Sequence, residues 1–240
     1  MQEVYQAIKE IEQHFDVNLL TYRGVEIWPL IRFAQMGKSI HFNRTPKTGF
    51  SFELKKLWLL WKARLKDRAN NASLNQEYDY GIYSDTLDRR IVIENKYFSR
   101  IADAVQHYVG AKHKALNLEM THELIPTKRY YPSYYVYEKV FFRLLNSKLK
   151  QAFFSSTNSE IAYIKAFKQF LDDRQLTINF DEATIKKQVD KILDFKKTFI
   201  SVLKNTAVKR YFVIAYYNNI KLGLILACKE LGIPTIDIQH

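Results

Sequence analysis

Cysteine occurs once in 240 residues, at Cys228. That excludes an internal disulfide framework and any cysteine-rich zinc site. Within a helical pattern, Cys228 reads as a small buried apolar side chain. Glycine and proline are also scarce, at seven and five, so long glycine-rich loops and an all-β architecture are not expected. Without a glycine cluster there is no GxGxxG and no Walker loop, and HExxH and the nucleophile elbow are missing too. No run reaches the ~18 uninterrupted apolar residues of a spanning helix. The amino-terminal MQEVYQAIKEIEQHF is charged from Glu3 onward and lacks the apolar core of a signal peptide. A cytoplasmic location is expected.

What the chain has in quantity is apolar and aromatic side chain, 47% and 15% of residues. This is ample for a packed core and argues against disorder. Its formal net charge of +12 points to an anionic partner: nucleic acid, anionic lipid or a phosphorylated small molecule. No RNP-type signature is present, so nucleic acid is not the expected partner.

Residues 2–15 place Val4, Ile8, Ile11 and Phe15 at helical spacing. Gly24 breaks the pattern, Pro29 suits a first helical turn, and Gly37 is expected to end that helix. A polar linker follows over 38–51. The helix over 52–68 sets Leu54, Leu57, Trp58, Trp61 and Leu65 at i, i+3, i+4, i+7 and i+11. Lys55, Lys56 and Lys62 lie among them. Such a helix either packs on its own domain or lies on an anionic membrane, with Trp58 and Trp61 at headgroup level and the lysines near phosphates.

Beyond residue 75 the character changes. YDYGIYSD, KALNLEM, KRYFVIAYYN and IPTIDIQ read as strands, and RRIVIENKYF as a hairpin-like extension. Helices are expected over YFSRIADAVQHYV, from Pro132 onward, after a cap at Ser159, after a cap at Asp181, and over NIKLGLILACKELG. The strands are continuous apolar runs rather than alternating ones, as in strands buried on both faces. Residues 1–75 are therefore expected to form a helical region. Residues 76–240 are expected to form an α/β, Rossmann-like, doubly wound parallel sheet.

In such sheets ligands bind at the carboxyl ends of the strands. After the first strand stand Ser84, Asp85, Arg89 and Arg90: a carboxylate suited to general base work and arginines suited to phosphate. After the second stand Glu119, His122 and Glu123, again acid–base groups, whose spacing makes no metal set. After the third stand Tyr216, Tyr217 and Asn218. The tyrosines suit stacking on a sugar or base, and Asn218 suits a helix cap.

The last 25 residues, YYNNIKLGLILACKELGIPTIDIQH, resemble the end of the N-terminal domain in GT-B-type glycosyltransferases of bacterial surface-polysaccharide synthesis (capsule, lipopolysaccharide). There an aromatic strand end leads to a helix closing on Gly-Ile-Pro, then to a strand ending Gln-His-Gly. This chain has Ala227, Lys229, Gly232, Ile233, Pro234, Gln239 and His240 in those places. The run YSDTLDRRIVIENKYFSRIADAV is similar to the first strand and loop of such proteins. The long helices over 133–205 carry no resemblance.

The resemblance implies the acceptor-binding half of a two-domain enzyme, with a nucleotide-sugar donor as co-substrate held mainly by a second domain and no resident cofactor or metal. It implies that His240 and Gln239 face the cleft. Asp85 is then the first choice for the base, with Glu119 and Glu123 behind it, and Arg89 and Arg90 bind phosphate. The acceptor would be a glycan or lipid-linked glycan, which places the basic helix at the inner face of the membrane. The alternatives are a polyol-phosphate polymerase or sugar-nucleotide enzyme of the same shape, or a basic module binding nucleic acid or another anion.

Overall fold

The computed structural model describes residues 2–39, 50–66, 72–85, 89, 91–109, 112–120, 128–153, 160–178, 180–214 and 218–238. The helices are α1 Gln2–His14, α2 Trp28–Ser39, α3 Phe50–Lys66, α4 Ala102–Val109, α5 Tyr137–Phe153, α6 Ile164–Asp173, α7 Glu182–Leu203 and α8 Asn219–Glu230. The strands are β1 Thr21–Tyr22, β2 Val25–Glu26, β3 Glu77–Tyr78, β4 Tyr80–Asp85, β5 Ile91–Ile93, β6 Lys96–Phe98, β7 Ala115–Met120, β8 Ser133–Tyr135, β9 Ala207–Val208, β10 Tyr211–Ile214 and β11 Thr235–Ile238.

The chain forms two compact units, and their division is not the boundary at 75 that the sequence suggests. One comprises Met1–Pro46 and Lys150–Leu193, the other Lys47–Leu149 and Asp194–His240. The reason is aromatic packing between distant segments. Phe167 on α6 lies edge-on to Phe15, at 5.2 Å between ring centroids, and to Trp28 at 6.1 Å. This draws α6 to the N-terminal helices. Conversely, Leu60 of α3 is buried in the core of the sheet unit.

In the first unit Ile8 and Ile11 of α1, Ile27, Leu30 and Ile31 around α2, and Ile185, Val189 and Ile192 of α7 are all buried. The Trp28 indole N–H donates to Glu12 at 2.9 Å. β1 and β2 make a hairpin whose two turn residues, Arg23 and Gly24, both have positive φ, of 52° and 75°. That is the pairing required by a tight turn matched to strand twist. Pro29 sits in the first turn of α2 as expected, but the helix runs through Gly37 to Ser39. Asp181 caps α7, its carboxylate accepting from the Thr184 N–H at 3.0 Å and the Ala183 N–H at 3.3 Å. The expected cap at Ser159 lies outside the described residues. α6 starts at Ile164, after Tyr163 at φ 57° with no side-chain cap.

The second unit is a mixed α/β structure around five strands in the order β11-β10-β4-β7-β8. Every neighbouring pair is parallel. By order of appearance the strands read 5-4-1-2-3, the order of a Rossmann-type sheet. Four of the five are the expected strands. β8 is not: it occupies the first residues of the stretch after Pro132 that reads as helix, and α5 begins only at Tyr137.

Side chains alternate between the two faces. On one face Tyr83, Leu116, Leu118, Tyr211 and Val213 pack with Phe199 of α7 and with Leu224, Ala227 and Cys228 of α8. On the other, Tyr80 and Ile82 pack with Ala102 of α4. Helices on opposite faces follow from right-handed crossovers running outward in both directions from β4 and β10.

Gly81 is required in β4. A Cβ there would stand 2.2 Å from the Tyr211 ring across the β4–β10 pair. The hairpin of β5 and β6 is present as the sequence suggests, turning through Glu94 and Asn95, both at positive φ.

Candidate site at the carboxyl ends of the central strands

The strand order reverses between β4 and β10, so the crevice of this sheet opens beyond their carboxyl ends. β4 ends on Ser84 and Asp85, in register with Glu119 and Met120 of β7. On the other side of the reversal, Asn218 is exposed and caps α8, its side-chain oxygen accepting from the Lys221 N–H at 2.9 Å. A helix N-terminus presents unpaired backbone N–H groups and the positive end of its dipole, a setting suited to anions.

Behind these ends lies a buried polar network. Arg89 donates to both oxygens of Asp103, at 2.6 and 3.2 Å. Its Nε donates to Glu119 at 2.6 Å, and Nη1 also donates to the Tyr97 carbonyl at 3.1 Å. The second oxygen of Glu119 accepts from the Ser133 hydroxyl at 2.7 Å. That hydroxyl in turn accepts from Arg129 at 2.8 Å, and the Ser133 carbonyl accepts from Arg129 at 2.9 Å. Beside it the Ser84 hydroxyl donates to Asn117 at 2.9 Å. Arg89, Arg129, Asp103 and Glu119 are all buried, two cations against two carboxylates.

Such a set persists only because each charge has partners. An unpaired charge in this position would cost several kcal/mol. Burial works against the Arg89 charge, but Glu119 and Asp103 outweigh it and hold the guanidinium above its ordinary range. Burial also pushes the Asp103 carboxyl up, while Arg89 and the Ser99 N–H pull it back. The ion pair is the state that the geometry supports, because the guanidinium has two carboxylates to hold it charged. Locally, Ser99 and Asp103 form a reciprocal cap for α4. The Ser99 hydroxyl accepts from the Ala102 N–H at 3.1 Å, and Asp103 accepts from the Ser99 N–H at 2.9 Å.

The structure therefore brings Arg89 and Glu119 together, but in the interior and bonded to one another. As placed, Arg89 offers no surface to a phosphate and Glu119 none to a reacting hydroxyl. Both hold the loop after β4 to α4 and β7. Ser84 is likewise turned inward, to Asn117. Asp85 holds the last position of β4, and Asn218 the mouth of α8. Arg90, His122, Glu123, Tyr216, Tyr217, Gln239 and His240 lie outside the described residues.

Asp103, Arg129 and Ser133 complete the network and are not evident from the sequence. Only Asp103 leaves a local sign, as the acidic partner in the Ser99 cap. Among the described residues, no three His, Cys, Asp or Glu side chains converge as a metal-holding group. A cavity of about 840 Å³ in the helical unit has Glu3, Glu10, Gln35 and Arg174 on its walls.

Compared with protein-family models, curated proteins and solved structures, the chain matches none. The class defined here is thus that of the fold: one mixed α/β unit with a five-stranded parallel sheet, and one helical unit.

Proposed function

We propose that the chain is the acceptor-side half of a two-domain glycosyltransferase of GT-B type. It would move a sugar from a nucleotide-sugar to a lipid-linked or growing surface polysaccharide. The observation that carries this reading is the position of Asp85, the last residue of β4 at the reversal of strand order. A carboxylate at this place suits removal of the proton from an attacking sugar hydroxyl. Asn218 and the start of α8, across the reversal, suit a phosphate group. The likeness of residues 216–240 to such enzymes supports the same reading. Arg89 and Glu119 then serve as positioning residues that fix the loop beyond Asp85. Arg90, His122, Glu123, Tyr216, Tyr217, Gln239 and His240 stand as candidate contacts, and the donor is held mainly by a second domain.

The test offers the protein, in its natural full length, a panel of nucleotide-sugars with lipid-linked oligosaccharide acceptors and measures nucleotide release. The expected result is turnover that falls about 10²–10⁴-fold in Asp85→Asn with KM little changed. Turnover only with activated polyol phosphates would replace this reading with the polymerase one. An Asp85→Asn variant as active as the wild type, or no donor consumed at all, would overturn it.

A further inference from the structure

The basic helix α3 carries an observation that the reading above does not use. It is held to the sheet unit by Leu60, buried in the core, and by Leu57, packed against that core. Leu54, Trp58, Trp61 and Leu65 instead face outward, 46, 54, 61 and 42% exposed. At about 100° per residue these four fall within roughly 60° of arc, a stripe about 16 Å long. Leu57 and Leu60 border it on the core side, while Lys55 and Lys62 are exposed along its other side. The Lys62 ammonium stands 4.9 Å from the centre of the Trp58 ring. The most apolar part of the helix is thus not spent on the core. Two tryptophans and two leucines in water are a marked cost without a partner to cover them.

We infer that this stripe docks the sheet unit on an anionic membrane surface, with α3 lying in the plane of the interface. Three features select that occupant. Tryptophan suits the headgroup level, where an apolar ring and a polar N–H are both accommodated. Lys55 and Lys62 border the stripe and the chain carries a net charge of +12, which complements anionic lipid. A second copy of the chain fits less well, because a two-fold contact with the two helices antiparallel would bring the lysines of both copies to the same side of the seam. Insertion across the bilayer is not the mode, since among the described residues no helix is long and apolar enough to cross a membrane. The inference does not depend on the glycosyl-transfer reading, because docking needs neither donor nor acceptor.

The experiment uses vesicles of phosphatidylcholine with and without phosphatidylglycerol, and follows tryptophan fluorescence with brominated lipid as quencher. The chain has three tryptophans, and Trp28 is buried, so the response reports on Trp58 and Trp61. Expected are a blue shift and quenching on anionic vesicles only, with binding weakened by salt. Lys55→Gln and Lys62→Gln should each weaken binding about fivefold, and the Trp58→Ala/Trp61→Ala variant, which lacks the reporting rings and is followed by co-sedimentation with the same vesicles, at least about tenfold. Circular dichroism on each variant establishes that the fold is kept, which is expected because the substituted side chains are exposed. Absence of binding by the wild type at low salt would overturn the inference. So would equal binding by the double variant, or a concentration-dependent dimer that the double variant abolishes.

Discussion

Arg89 Nη1 lies 2.6 Å from Asp103 Oδ2, and neither side chain has any exposed surface. With Nε 2.6 Å from Glu119, one guanidinium ties the loop after β4 to α4 and to β7. Arg89→Met would leave two buried carboxylates without their cation. The expected cost is about 3–5 kcal/mol, read as a lower urea midpoint. Replacing Asp103 by asparagine in the same chain should recover part of that loss, because one uncompensated charge goes as well, while Glu119 stays to balance Arg129, to which the Ser133 hydroxyl links it.

Gly81 and Tyr211 form the second test. A β-carbon at position 81 meets the Tyr211 ring at 2.2, 2.4 and 2.7 Å, and that ring is wholly buried. Gly81→Ala should destabilise by about 1–3 kcal/mol or more through overpacking. Tyr211→Phe should not rescue it, since the clashing atoms are ring carbons. Tyr211→Leu should, with a favourable coupling in a double-mutant cycle.

Asp181 predicts a pH dependence. The Thr184 hydroxyl, followed by the backbone N–H groups of Thr184 and Ala183, holds its carboxyl below the ordinary range. A lowered folded-state value means that the stabilisation is fully present above the unfolded value of about 3.9. It is lost as pH falls through the folded value. Asp181→Ala should therefore lower the thermal midpoint at neutral pH, and this difference should shrink in acid below pH ~4. Asp181→Asn, also a good cap, should keep most of the neutral-pH stability.

Cys228 is fully buried on α8, and burial pushes its thiol up to about 12. Because the thiolate is the reactive form, a disulfide reagent at pH 8 should label it only at the rate of unfolding. Rapid labelling of the native protein would show that α8 opens locally.

Legibility in the sequence followed the range of the interaction. β4, β7 and β10 could be read because strands buried on both faces are unbroken apolar runs; β11, an edge strand whose Thr235, Ile236 and Asp237 are exposed, could be read only from its short β-prone run after the Gly-Ile-Pro turn. The caps Asp181 and Asn218 could be read because their hydrogen bonds reach only two or three residues. β8 could not. It is three residues long, follows Pro132, and joins the aromatic run that continues into α5, so its own periodicity is lost. Arg89 reads as a phosphate ligand in its loop because its true partners stand 14 and 30 residues away.

The same limit divides what each level determined. From the sequence alone came the α/β class of the carboxyl-terminal part, most strands of the sheet, two helix caps, the buried cysteine and the apolar stripe on α3. Only the tertiary structure decided that the strands order as 5-4-1-2-3 and that α6 and the start of α7 join the N-terminal helices. It also decided that Arg89 and Glu119 close on each other inside, and that Trp58 and Trp61 face out. Periodicity and capping are local and leave their mark in neighbouring residues. The choice of partner for an apolar face or a charge is made among several surfaces of similar burial energy, and that choice exists only once the chain is packed.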